Sequence, residues 1–245
     1  MPLPPALRAF IGADTAVESR PMDAMGRQDY KPSIWRIWGL EFDARVVQLL
    51  AVGTLLLIWT FYHPDFQLGG WAIQREYVRL VLNFVVPIAI VVLLWREDPR
   101  RYGLRLGDWR LGLPITVAAI AIMALVILYI GRQPDYVAWY APLVDGRPAW
   151  RVWLDTGVEL GAWEFFFRGW LLWGLGRKYG PDAIWLQIAP FALMHLLKPE
   201  TEVISTVLGG LLFGLLAWRT RSVLWVWLIH WFMSAFVIVV AVGWV

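Results

Sequence analysis

The sequence contains no cysteine among its 245 residues. This absence excludes disulfide bonds, thiolate metal sites and a cysteine nucleophile. Charged residues are also scarce, at 17% of the chain, and histidine occurs only three times. No HExxH motif, internal repeat or low-complexity tract is present. The few ionisable side chains inside apolar segments are therefore the first candidates for a functional role.

Apolar residues dominate the composition instead. They make up 59% of the chain, and the mean hydropathy is +0.56, whereas soluble domains are usually about 45–50% apolar. Many of the 18 tryptophans lie near the ends of apolar runs, where their rings favour the headgroup zone. The net charge of +3 is small, so it does not indicate a nucleic-acid partner. We predict a multi-pass integral membrane protein in contact with the lipid bilayer.

Seven apolar segments predict an all-α polytopic transmembrane helical bundle of seven to eight spans. The segments are Arg45–Tyr62, Tyr77–Trp95, Leu113–Ile130, Trp150–Leu175, Asp182–Leu197, Val203–Trp218 and Val223–Trp244. A helix needs about 20 residues to cross a bilayer core, so the fifth and sixth are short. We expect other helices to surround them. An eighth span requires that the N-terminal stretch also crosses the membrane.

The chain divides into three regions. Residues 1–44 are polar and carry no apolar core of signal-peptide type, so we expect no cleaved leader. Within them, Ile34 to Leu40 is predicted to lie at the membrane interface. Residues 45–148 hold the first transmembrane helices, and residues 149–245 hold the helices with unusual polar residues.

Basic residues are concentrated on one side of the predicted bundle. Five lie in the N-terminal segment, five arginines lie in 96–110, and Arg177, Lys178, Arg219 and Arg221 fall on the same side. The opposite loops carry far fewer. Because basic loops favour the cytoplasm, we predict a cytoplasmic N-terminus.

Ionisable residues occur in three of the predicted spans. Glu164 and Arg168 are four residues apart on one helical face, and Glu159 precedes them on the same segment. His195 and His230 lie in the fifth and seventh segments, whereas His63 lies in a loop. A buried Glu–Arg pair alone is as well explained by helix pinning as by catalysis. Two intramembrane histidines beside it favour a functional site.

These residues resemble the three motifs of the CPBP intramembrane protease family, which includes the CAAX prenyl endopeptidases. The family motifs are Glu-Glu-x-x-x-Arg, Phe-x-x-x-His and His-x-x-x-Asn. They correspond here to Trp163 to Arg168, Phe191 to His195, and His230 to Ser234. Order and spacing agree over residues 150–240, the predicted catalytic core. Some local sequence is similar to the myxosortase-like branch, which is implicated in processing C-terminal sorting tails.

The chain departs from the family pattern at two positions. Trp163 replaces the first glutamate, which in the family is thought to activate water, and Ser234 replaces the asparagine. We expect Glu164 to act as general base with His195, and His230 with Ser234 to stabilise the oxyanion. Glu159 is the reserve for the missing acid, because it shares the helical face of position 163. Glu200 and Glu202 are a further option, more simply interpreted as a solvated loop.

The resemblance implies an intramembrane endopeptidase without a bound cofactor. Its substrate would be a peptide or protein with a transmembrane or C-terminal hydrophobic segment. A metal-assisted mechanism, with zinc bound by Glu164, His195 and His230, is the second hypothesis. Two other classes stay open: an inactive scaffold that regulates or protects a membrane protein, favoured by Trp163, and a proton-coupled transporter.

Overall fold

The computed structural model describes residues 32–68 and 71–245, and helices account for most of them. The helices are α1 (Ala44–Tyr62), α2 (Arg75–Leu94), α3 (Trp109–Ile130), α4 (Pro134–Tyr140), α5 (residues 149–179), α6 (Ala183–Leu193), α7 (Glu200–Thr220) and α8 (Leu224–Ala241). Short 3₁₀ turns cover Pro99–Tyr102, Ala141–Val144 and Gly180–Asp182. The predicted all-α membrane bundle is confirmed.

Five helices in the described part of the chain are long and apolar enough to cross a membrane: α1, α2, α3, α7 and α8. The predicted fifth segment is different, because α6 has only 11 residues. At 1.5 Å per residue it is about 16 Å long, roughly half of a bilayer core. The chain then turns through residues 194–199 into α7. His195 therefore lies in a turn between helices and not within a full span.

The predicted fourth segment forms the long central helix α5. It is α-helical over Ala149–Glu164, widens to a π-helix over Phe165–Leu171 and is α-helical again over Leu172–Tyr179. Every side chain of the π-helical stretch is buried. π-Helical turns are rare and frequently occur at functional sites. Here the wide turn begins directly after Glu164 and contains Arg168.

Two β-hairpins accompany the helices. Strands β1 (Ile34–Ile37) and β2 (Leu40–Asp43) pair in antiparallel fashion, and β3 (Phe66–Leu68) pairs with β4 (Trp71–Ile73). Trp38 and Gly39 both have positive φ at the turn of the first hairpin, as tight two-residue hairpin turns require. The interfacial location expected for Ile34 to Leu40 stays a prediction. The leader and charge predictions for residues 1–31 lie outside the described residues.

Glycines allow the helices around α5 to approach closely. Ideal Cβ atoms at Gly157 and Gly161 would lie 2.9 and 3.3 Å from the indole rings of Trp231 and Trp227 on α8. This pair of glycines therefore packs against two stacked tryptophans. Gly210 and Gly214 of α7 face α6 in the same way. These contacts hold α6 and α8, which flank the two histidines, against the centre of the bundle.

The two ends of the bundle differ in how their basic residues are paired. At the end formed by the α1–α2 and α6–α7 connections, five of the six described basic residues form ion pairs with acids. The five are Arg75, Arg79, Arg147, Arg151 and Lys198, and the exception is Arg132. At the other end, seven arginines form no ion pair within the described residues. They are Arg96, Arg100, Arg101, Arg105, Arg110, Arg219 and Arg221. Uncompensated positive charge therefore lies at the end where the first hairpin enters α1.

Candidate active site

Glu164 lies at the centre of a buried contact between α5 and α8. Both Glu164 and Arg168 are fully buried, and Arg168 Nη1 donates to Glu164 Oε1 at 3.0 Å. The Nδ1 atom of His230 lies 2.5 Å from the same carboxylate oxygen. The predicted pairing of Glu164 with Arg168 is confirmed. The sequence did not indicate that His230 would share that oxygen.

Aromatic rings surround the rest of the Arg168 guanidinium. Its central carbon lies 3.9 Å from the ring centroid of Phe191 and 5.3 Å from that of Phe213. Its Nε and Nη2 atoms have no hydrogen-bond partner within the described residues. Cation–π attraction and one carboxylate thus stabilise this buried charge. Loss of Glu164 would leave the guanidinium without any counter-charge.

His195 follows α6 and is also buried. Its Nδ1 atom lies 2.8 Å from the carbonyl oxygen of Phe191. Because a carbonyl can only accept, Nδ1 must carry the proton in this contact. The lone pair of the neutral ring is then on Nε2. His195 is accordingly held in the tautomer that can accept a proton from water.

A cavity of about 310 Å³ collects most of the predicted site residues. Its lining includes Glu159, His195, His230 and Ser234, together with Trp163. Glu164 and Arg168 do not line it, because both lie behind His230 on the buried side of the contact. Of the predicted site residues, those whose side chains can meet a substrate are therefore the two histidines, Ser234 and Glu159.

Glu159 lies on the cavity wall together with Trp163. It is paired with Arg79, and Arg75 Nε lies 3.7 Å from its Oε2 atom. The Arg79 guanidinium also stacks over the Trp163 ring, at 5.2 Å from the centroid. Glu159, one helical turn before Trp163, therefore lines the same cavity as Trp163. Sequence reasoning missed both arginines, because they come from α2.

Lys198 and Tyr140 form a second polar group on the cavity wall. Lys198 Nζ donates to Glu202 Oε1 at 2.7 Å and to the Tyr140 hydroxyl at 3.1 Å, and that hydroxyl donates to Glu202 at 2.6 Å. Glu202 is therefore ion-paired with Lys198 and hydrogen-bonded to Tyr140, and its interpretation as a solvated loop acid was wrong. Glu200 is exposed. The four-residue spacing of Lys198 and Glu202 was the available signal.

The three residues suggested as zinc ligands do not form a common ligand set. Within the described residues, no group of three or more His, Asp or Glu side chains is arranged to hold a metal ion. The Oε1 atom of Glu164 already contacts Arg168 and His230. Two of the suggested ligands are thus hydrogen-bonded to each other. No step through a metal is derived for this arrangement.

Comparison with known families points to the same part of the chain. Residues 148–236 match the family model described as type II CAAX prenyl endopeptidase Rce1-like. This segment covers somewhat more than a third of the chain and contains Glu159, Glu164, His195, His230 and Ser234. No curated protein and no solved structure gives a match. From α5 to α8, the chain is similar to the CAAX family of membrane-embedded proteases.

Proposed function

We propose that this protein is an intramembrane endopeptidase that hydrolyses a peptide bond next to a hydrophobic segment of its substrate. One observation carries the proposal: His195, His230, Ser234 and Glu159 line one cavity inside a membrane bundle. The similarity of residues 148–236 to a protease family supports the reaction class. A cavity bordered by both imidazoles and a carboxylate supplies a base and hydrogen-bond donors together.

In the proposed first step, His195 Nε2 accepts a proton from water, and the resulting hydroxide attacks the scissile carbonyl carbon. The hydrogen bond from Nδ1 to the Phe191 carbonyl supports this role, because it leaves Nε2 unprotonated. The ionised carboxylate of Glu159 would stabilise the imidazolium that forms. The proton then passes to the leaving amine as the C–N bond breaks. Atoms and charges balance without any further reactant.

Glu164 was expected to be the base itself. Its complete burial and its contacts with Arg168 and His230 favour a positioning role instead. In this proposal Glu164 accepts from Nδ1–H of His230, so that the opposite ring nitrogen and the Ser234 hydroxyl face the cavity. Both groups can then donate to the developing oxyanion when His230 is protonated. The metal-assisted alternative has no comparable support.

The substrate proposed is a protein with a transmembrane or C-terminal anchoring segment, as in processing of sorting tails. The cavity draws its lining from the ends of α1 and α2, from α4 and from the α6–α7 turn. All of these lie at the end of the bundle opposite the unpaired arginines. With those arginines cytoplasmic, cleavage would occur toward the outer face of a bacterial inner membrane.

The test is to map the C-termini of membrane proteins by mass spectrometry in cells that carry wild-type protein or His195→Gln. The exposed Glu200→Gln serves as a matched control on the neighbouring helix. Proteolysis predicts that one or a few substrates keep their tails only in the His195 variant. Identical termini in all strains, with the variants folded and in the membrane, would favour the scaffold alternative that Trp163 suggests.

A further inference from the structure

A second cavity lies on the opposite face of α5 from the active-site cavity. It has a volume of about 620 Å³ and is lined on α5 by Gly157, Val158, Gly161, Ala162 and Phe165. Because an α-helix turns by about 100° per residue, these α5 residues lie on average half a turn around the helix axis from the α5 residues that line the first cavity. Leu80 and Phe84 of α2 and Trp227 of α8 form its walls. We call this cavity the α5 groove.

Apart from Arg105 at one end, the side chains that line the α5 groove are apolar or are already hydrogen-bonded. Small residues of α5 form its floor between α2 and α8, and aliphatic and aromatic side chains cover the rest. The indole N–H of Trp227 donates to the carbonyl of Gly157 at 2.9 Å, so it is not available to a ligand. The groove therefore suits a hydrocarbon chain.

The depth of the α5 groove matches one membrane leaflet. Eight residues separate Gly157 from Phe165, which is about 12 Å along the helix axis. Half of a hydrocarbon core is about 15 Å thick. Gly103, Leu104 and Arg105, with Val223 and Leu224, close the end of the groove. That end belongs to the side of the bundle with the unpaired arginines.

Two neighbouring arginines lie at this end: Arg105 lines the groove, and Arg221 lies next to Arg105. Arg105 lines the groove and is exposed, and its Nε atom donates to the backbone carbonyl of Arg221 at 2.9 Å. Partial burial and then the nearby charge of Arg221 lower the pKa of Arg105, although Asp98 opposes the effect. Neither arginine forms an ion pair within the described residues. Two neighbouring arginines that form no ion pair favour the binding of an anion.

We propose that the α5 groove binds one anionic phospholipid, with an acyl chain along α5 and its phosphate held by Arg105 and Arg221. An apolar channel one leaflet deep fits the chain, and the paired guanidinium groups fit the phosphate. A substrate helix or a second copy of this protein would not need two uncompensated cations at one end. The site is independent of the proposed protease activity.

The test uses native mass spectrometry of the full chain, purified in detergent and offered equal amounts of phosphatidylglycerol and phosphatidylcholine. We expect one phosphatidylglycerol to be retained in preference. Arg105→Gln should weaken its binding about fivefold, the effect of one basic residue near a lipid phosphate. Arg101→Gln is the matched control, because it removes an exposed arginine of the same loop that does not line the groove.

A groove-filling variant tests the acyl-chain half of the site. Val158→Trp should abolish retention of phosphatidylglycerol while leaving the unfolding temperature in lipid-free detergent unchanged. Should that variant fail to fold, Leu80→Trp on the opposite wall gives the same test. The proposal is overturned if wild-type protein retains both lipids equally, or if the groove-filling variant still retains phosphatidylglycerol. It is also overturned if the protein forms dimers that the groove-filling variant dissociates.

Discussion

The Oε1 atom of Glu164 is shared between Nη1 of Arg168, at 3.0 Å, and Nδ1 of His230, at 2.5 Å. One carboxylate oxygen thus connects a buried cation on α5 with an imidazole on α8. A carboxylate in this position fixes the orientation of the imidazole ring, as the acid behind a catalytic histidine does. The same contact joins two helices, so its loss should affect both catalysis and folding.

Glu164→Gln should therefore abolish peptide hydrolysis and also destabilise the protein. Removal of one partner from a buried ion pair leaves the other charge uncompensated and costs about 3–5 kcal/mol. Both effects can be measured on purified protein, by cleavage of a substrate and by thermal unfolding in detergent.

A double variant separates the two effects. Glu164→Gln with Arg168→Gln also removes the orphaned guanidinium, so much of the stability should return. Activity should not return, because His230 still lacks its carboxylate. A double variant that recovers both would show that Glu164 contributes only to folding. A fully active single variant would exclude a role for Glu164 in catalysis.

Glu159→Gln tests the acid on the cavity wall. If Glu159 stabilises the protonated form of His195, kcat/KM should fall by roughly 10²-fold, within the range for loss of acid–base assistance. The matched control is Glu200→Gln, which removes an exposed acid from the first turn of α7 and should leave kcat/KM unchanged. Full activity of Glu159→Gln would show that Glu159 does not assist His195.

The sequence was sufficient to predict the membrane bundle and the local part of the site. Glu164 and Arg168 are four residues apart on one helix, so their pairing depends on local geometry alone. The partners of Glu159 come from α2, about 80 residues earlier, and no local pattern specifies them. The same holds for the contact of Tyr140 with Glu202.

The helical geometry around His195 was also not predictable from hydropathy. Residues 182–197 are apolar enough to resemble a span, but the helix ends at Leu193, shortly after Pro190. A proline inside a helix removes one backbone hydrogen bond and so favours a nearby end. Likewise, the π-helical turn after Glu164 changes the register of α5 without any clear sequence signal.

A pH-dependent contribution to stability is predicted for Glu97, in the loop between α2 and α3. Burial opposes its ionisation, but hydrogen bonds from Arg177, Tyr102 and Arg45 outweigh burial and lower its pKa to about 2. A lowered pKa stabilises the fold above the unfolded-state value of 4.5. This contribution is lost progressively as the pH falls from about 4.5 toward 2.

Thermal unfolding at a series of pH values measures this contribution. Wild-type protein should lose stability more steeply than Glu97→Gln between pH 5 and pH 3, because the variant has no carboxylate to protonate. The variant should already be less stable at pH 7, where two arginines lose their shared partner. Parallel pH profiles for the two proteins would show that Glu97 does not carry this dependence.

Two glycines of α7 provide a matched test of the packing that positions α6 and His195. An added Cβ at Gly214 would lie 2.8 Å from the Ile184 side chain of α6, whereas at Gly209 it would meet nothing within 4 Å. Gly214→Ala should therefore lower the free energy of unfolding by about 1–3 kcal/mol, the usual cost of overpacking. Gly209→Ala should raise it by up to about 1 kcal/mol, because alanine is the better helix former.

Since α6 carries the Phe191 carbonyl that binds His195, Gly214→Ala should also reduce cleavage, and Gly209→Ala should not. Equal effects of the two substitutions would mean that α6 and α7 do not pack as closely as described.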